Sequence, residues 1–250
     1  MALAAEAAGL DGVFCYDHLF RNGRDGTRRP AIEGTTLLGA VAAETSTIAV
    51  GTLVARATLR PPAELAAAFD TVHRISGGRL IAAIGAGDSQ SLDEMVTFGY
   101  DFGTPATRLA ALGAAVTASR DHGYPVWIGG RLLSLCELAA TAADGWNSWG
   151  GDVAWFGRRV EAIRAAAVRP MTPSWGGLVL LGADDEEVGA KRERLGPGND
   201  VIQGTPATVA AGLAPYLDAG AEWIIAGPLD SQNRANCELL ADVRSRLRSR

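Results

Sequence analysis

Long apolar runs are missing from this chain. The longest uncharged stretch, Val201–Leu217, has 17 residues and contains Gln203, Pro206 and Pro215, whereas a bilayer-spanning helix needs about 20 predominantly apolar residues. No basic opening followed by an apolar core and a cleavage site is found either, so no secretory signal is expected. Positive charge is in short supply. Lysine and arginine total 23 against 28 acidic residues, a net charge of -5; no face is basic enough to read a phosphate backbone, and nucleic acid is not expected as a partner. Cysteine is scarce and unpaired in pattern. Cys15, Cys136 and Cys237 are odd in number, far apart and without a CxxC, which reads as free thiols in a reducing cytoplasm and no structural zinc. Only three histidines occur, and HExxH, EF-hand, P-loop and GxSxG motifs are all absent, leaving no metal site and no hydrolase nucleophile to argue from.

What is present is the material of a globular α/β protein. Of 250 residues, 48% are hydrophobic and 20% charged, which excludes disorder, collagen and coiled coil. Short runs rich in β-branched or aromatic residues alternate with segments of helical spacing. The strand candidates are Gly12–Tyr16, Ile48–Val54, Leu80–Gly85, Pro125–Gly129, Gly145–Trp149, Leu178–Gly182 and Trp223–Ala226. Between them, Leu65, Phe69 and Val72, then Leu109, Leu112 and Val116, then Val153, Phe156, Val160 and Ile163, each draw one apolar stripe on a helix. Strands separated by helices imply parallel pairing with right-handed crossovers. No composition break or linker divides residues 1–250, so one domain is expected. A dinucleotide fold would need GxGxxG after the first strand; Gly85-Ala86-Gly87-Asp88-Ser89-Gln90 supplies two of the glycines and follows a later strand. Seven strands with their helices favour a TIM-like (β/α)8 barrel.

In such a barrel the chemistry sits where strands end and loops begin. Gly12–Tyr16 runs straight into Asp17-His18, a pair that reads equally as a capped surface turn and as a positioned proton-handling imidazole. Thr52, Leu53 and Val54 close the second strand and are followed by Arg56 and Arg60; from the residues alone this is a plain buried strand. Gly85 and Gly87, with Ala86 and Asp88, end the third, where the lack of Cβ atoms allows a ligand to approach or simply forms a tight turn. Gly129, Gly130 and Arg131 open the helix that begins near Leu132, whose free N–H groups are suited to an anion; the alternative is a glycine hinge with a solvent-facing arginine. His73 and His122 read as bystanders.

Taken together, AEAAGLDGVFCYDHLF, ETSTIAVGTLV, RPPAELAAAFDTVHRISGGRLIAAIGAG, Phe98-Gly99, YPVWIGG, AADGWN and QGTPATVAAGLAPYLDAGAEWIIAGP resemble the luciferase-like monooxygenase superfamily, and within it the branch of oxidoreductases that use the deazaflavin coenzyme F420. The resemblance covers most of the chain, is strongest over residues 30–100 and is nearly silent over 150–200. It implies a barrel with a flat ring in its mouth. By resemblance Asp17 and His18 lie beside the ring, with His18 the candidate for proton transfer. Thr52-Leu53-Val54 falls where relatives carry a bulged strand, often with a non-proline cis peptide, that backs the ring. Gly85, Ala86, Gly87 and Asp88 match the loop that approaches the cofactor, with Asp88 standing where some relatives have glutamate. Gly129, Gly130 and Arg131 match the segment that holds its phosphate. Two departures stand out: relatives have a strand before the helix that begins near Ala2, and a longer insertion after the segment matching Phe98-Gly99.

The expectation is therefore a cytoplasmic oxidoreductase moving a hydride between reduced F420 and a small organic substrate. The alternatives are an FMN-dependent monooxygenase on the same fold, or a non-catalytic flavin-binding or partner subunit. A barrel without its first strand exposes edges on Gly12–Tyr16 and Trp223–Ala226, so a homodimer or larger assembly is expected. The substrate wall comes from the loop after Asp17 and from Gly99–Tyr124, and neither carries a signature that names a substrate.

Overall fold

In the computed structural model, residues 1–22 and 26–250 are described. The chain opens with α1 (Ala2–Ala7), β1 (Gly12–Cys15) and a hairpin of β2 (Phe20–Asn22) and β3 (Arg28–Pro30). Next come α2 (Gly34–Glu44), β4 (Ala49–Thr52), β5 (Ala55–Arg56), α3 (Pro62–Ile75) and β6 (Leu80–Gly85). Then follow α4 (Leu92–Thr97), α5 (Pro105–Ser119), β7 (Val126–Gly129), α6 (Leu133–Ala142), β8 (Gly145–Trp149) and α7 (Val153–Ala166). The last third holds β9 (Thr172–Leu181), α8 (Asp185–Leu195), β10 (Ile202–Gly204), α9 (Pro206–Asp218), β11 (Trp223–Pro228) and α10 (Ala235–Arg248).

Parallel pairing follows chain order, β1-β4-β6-β7-β8-β9, and β9 continues to β11 along Ser174–Val179 and to β10 at its end. This is the TIM-like barrel arrangement. The helices form where the pattern requires. In α3, Pro62 pre-sets the first turn, Leu65, Phe69 and Val72 are buried, and Gly77 and Gly78 take positive φ to leave the helix before β6. The resulting layer between strands and helices is the main core. A second, smaller core fills the barrel interior: Ile81, Ala83 and Trp127, with Phe14, Leu53, Val54, Trp223 and Ile225 against them. Phe14, Trp127 and Trp223 meet one another at centroid distances of 5.9–6.1 Å.

The barrel does not close. Among the described residues β1 pairs only with β4 and β11 only with β9, and every residue of both strands is half-buried. Across the gap the Trp223 ring lies on Gly12, where a Cβ would come within 2.8 Å of it. Outside, Arg244 and Arg248 of α10 bind Asp11.

The structure corrects two strand limits. β9 begins at Thr172, not at Leu178; its Gly176, without a side chain to mark a strand, is the surface on which Trp149 rests, and a Cβ there would sit 2.7 Å from the indole. β10 has only three residues and one of them is Gln203, too short for an alternation to register. Between Gly99 and β7 the chain forms a loop and α5 and no further lobe.

Candidate active site

Because the strands are parallel, their C-terminal ends gather on one side of the sheet, and the sequence-predicted residues lie there. β1 delivers Tyr16, Asp17 and His18 in near-extended alternation: Tyr16 is exposed, Asp17 is 2% exposed, and the His18 side chain is 26% exposed. Neighbours in extended chain point to opposite sides, so Asp17 and His18 find different partners. Both Asp17 oxygens bind Arg60, at 2.7 and 3.0 Å, and Oδ2 also accepts the Arg56 N–H at 3.0 Å. Arg60 bridges on to Glu33, whose carboxyl caps α2 by accepting from the N–H groups of Thr35 and Thr36. Burial pushes Glu33 up, but the Thr36 and Thr35 donors and Arg60 bring it down to about 2.

The carboxylate on the His18 ring is Glu94, not Asp17. Nδ1 of His18 lies 2.9 Å from Glu94 Oε2, and Arg56 Nη2 donates to Glu94 Oε1 at 2.6 Å. The backbone N–H of Leu19 reaches the same Oε1. Glu94, on α4, is 2% exposed, and Arg56 is 4% exposed. Burial alone would raise the Glu94 carboxyl; Leu19, His18 and Arg56 overcome that and hold it below the usual carboxylate range. Arg56 is further fixed by Nε donating to the Asp17 carbonyl at 2.8 Å, while its buried Nη1 has no partner among the described residues. Nothing in the residue pattern points to Glu94, which lies 76 positions from His18.

The second strand end is a bulge. β4 pairs β6 at Val50–Gly51 and β5 rejoins it at Ala55–Arg56; between them Thr52 Oγ1 donates to the Ala83 carbonyl at 2.7 Å, and Leu53–Val54 is a cis peptide bond. The Val54 side chain lies between Gly85 and Gly129: a Cβ on either would come within 2.5 or 2.4 Å of its methyl groups. The missing Cβ atoms of Gly85 and Gly129 make room for Val54, and that of Gly130 for Leu135. Gly87 differs. With φ +74° it needs glycine for the backbone, and the nearest atom to a Cβ there is 3.8 Å away. Asp88 is exposed and caps the short turn Ser89–Ser91 by accepting from the Gln90 N–H at 3.0 Å.

After β7, α6 starts at Leu133 with no side-chain cap from the described residues; the Leu135 N–H already donates to the Leu132 carbonyl at 3.0 Å, which leaves the first two N–H groups, of Leu133 and Ser134, open to an anion. Arg131 is exposed beside them, 5.9 Å from the Trp155 ring. Leu132, Leu133 and Trp149 are exposed apolar residues on the same side of the sheet, at 68%, 54% and 45%. This donor set with apolar and aromatic surface fits a flat ring carrying a phosphate. The described part of the loop after Asp17 and the segment from Tyr100 line two cavities, of about 360 and 280 Å³, that share Leu59, Arg60 and Tyr100. Residues 23–25 of that loop lie outside the described residues. Among the described residues, no His/Cys/Asp/Glu group could hold a metal ion.

Residues 1–116 match the family model of the luciferase-like monooxygenases. That match takes in just under half of the chain. An F420-dependent glucose-6-phosphate dehydrogenase from Nakamurella multipartita is 35% identical over 142 residues, covering 56% of this chain and 39% of that protein. A 5,10-methylenetetrahydromethanopterin reductase from Methanolobus tindarius is 28% identical over 163 residues, 58% of this chain and 47% of the relative. The chain thus spans less than half the length of these two curated relatives. Among solved structures, an F420-dependent secondary alcohol dehydrogenase in complex with an F420–acetone adduct superposes with a TM-score of 0.81 at 17% identity, covering 98% of this chain and 93% of that one. At that identity the superposition establishes the barrel fold.

Proposed function

We propose that this protein is an oxidoreductase that moves a hydride between coenzyme F420 and a small organic substrate at the C-terminal mouth of its barrel. The observation that carries this reading is His18 at the end of β1, its Nδ1 held 2.9 Å from a buried carboxylate. The F420-dependent relatives supply the cofactor class, and the free donors at the start of α6 supply a seat for its phosphate. F420, when bound, supplies the hydride chemistry; the protein supplies placement, exclusion of water and the proton. Thr52, Leu53 and Val54 would back the ring. Gly85, Ala86, Gly87 and Asp88 would flank it, with Gly87 the position of open space, and Gly129, Gly130 and Arg131 would hold the phosphate. His18 would give or take the proton as charge changes on the substrate atom. Asp17 would act at one remove, through Arg60 and the Arg56 backbone.

In this reading residues 1–250 work as one unit in a reducing cytoplasm, which the three free thiols support. No helix among the described residues is long and apolar enough to cross a membrane. The open edges of β1 and β11 favour self-association into a homodimer or larger assembly. The test is single-turnover oxidation of reduced F420 against a panel of small carbonyl and alkene acceptors with oxygen excluded. Bleaching or recovery of the deazaflavin band without oxygen supports hydride transfer; turnover only with FMN and oxygen would assign monooxygenase chemistry instead, and binding of neither cofactor a partner subunit.

A further inference from the structure

We propose that Glu94, clamped by Arg56, is a positioning residue that fixes the neutral His18 ring with its proton on Nδ1, leaving Nε2 as the nitrogen that exchanges a proton with the substrate. The inference rests on the reading above for what Nε2 does, but the tautomer it assigns is a property of the protein alone. Four observations carry it. Glu94 Oε2 sits 2.9 Å from His18 Nδ1, and no other side chain bonds the ring among the described residues. Glu94 is 2% exposed and carries the Arg56 guanidinium at 2.6 Å and the Leu19 N–H on its other oxygen. Those donors keep it ionised, and an ionised carboxylate only accepts hydrogen bonds, so Nδ1 must be the donor. Arg56 cannot swing away from Glu94 freely, because its Nε and backbone N–H are both tied to Asp17.

The arrangement gives the ion-pair network a role beyond stability. Asp17 and Arg60 hold the Arg56 segment, Arg56 holds Glu94, and Glu94 sets the tautomer and the orientation of the imidazole; which ring nitrogen carries the proton is decided by the bond the other one makes. When an acceptor is reduced, the hydride would add to one atom of its double bond and Nε2–H of the doubly protonated ring would give its proton to the other, leaving the neutral ring with Nδ1–H on Glu94; in the reverse direction the bare Nε2 of that neutral ring would accept the proton.

With only three histidines in the chain, nitrogen NMR of the cofactor-free protein at a pH where the imidazoles are neutral reads the tautomer directly. In the wild type His18 is expected as the Nδ1–H form, and in Glu94→Gln as a mixture. With F420 bound, Glu94→Gln is expected to lower kcat by about 10–100-fold, the usual scale for removing an orienting partner, while F420 affinity stays within about twofold. Glu94→Asp keeps a carboxylate beside Arg56 and so guards against a folding artefact; its shorter arm leaves Nδ1, and it is expected to share the kcat loss. An Nε2–H form in the wild type, an unchanged tautomer in Glu94→Gln, or F420 affinity lost in step with kcat would each overturn the assignment. Failure of F420 to bind any form would instead strike the proposed function and leave the tautomer result standing.

Discussion

At the scale of single residues, His18 and Val54 make the sharpest claims. A positioned histidine contributes about 10²–10⁴-fold to a proton transfer, so His18→Ala is expected to lower kcat by about two orders of magnitude with little change in F420 affinity. Steady-state kinetics alongside equilibrium binding separates the two; intact turnover with weakened binding would make His18 a wall of the pocket. Val54 explains its glycines. Gly129→Ala would drive a Cβ to 2.4 Å from a Val54 methyl, and overpacking of this kind costs about 1–3 kcal/mol. Denaturation of Gly129→Ala, Val54→Ala and the double variant should show strong coupling, the valine truncation recovering much of the loss. Asp17-His18 is legible as a pair at a strand end. Their separation onto Arg60 and Glu94 is not, because it depends on which way two consecutive side chains face and on a helix that arrives 76 residues later.

At the scale of elements, acidic side chains tie the N-terminal quarter together. Glu6 of α1 accepts from the N–H groups of Ser46, Thr47 and Ile48, joining α1 to the start of β4, and these bonds hold its carboxyl down to about 2 from an ordinary 4.5. Glu33 does the same for α2 and is likewise held to about 2. A carboxyl depressed in the folded state adds stability that is complete above its unfolded value and disappears as pH falls through its folded value. Thermal unfolding of Glu6→Gln and Glu33→Gln is therefore expected to show a lower Tm than the wild type at neutral pH, with the difference shrinking between about pH 4.5 and 2. A constant difference across that window would contradict the assignment. Helices with clean stripes and punctuated ends, such as α3, are readable from residue spacing. β9 and β10 are not, since the one contains Gly176 and Gly177, which make room for Trp149 and Trp175, and the other is three residues long.

At the scale of the whole molecule, the alternation of strands and helices is enough to reach a parallel barrel, and the family resemblance supplies what alternation cannot: an expectation of which strand ends would face a cofactor. The open seam between β1 and β11 has a consequence for assembly. Two half-buried, singly paired edges are sites for pairing with another chain, so light scattering is expected to report a dimer or larger at micromolar concentration, and a well-behaved monomer would contradict self-association. The central claim, that the barrel mouth holds a deazaflavin, is tested most directly by titrating F420 fluorescence with the purified protein, FMN being run in parallel. Saturable binding of one F420 per chain, tighter than FMN and weakened by Arg131→Ala, is the predicted result. No saturation by F420, or preference for FMN, would contradict it.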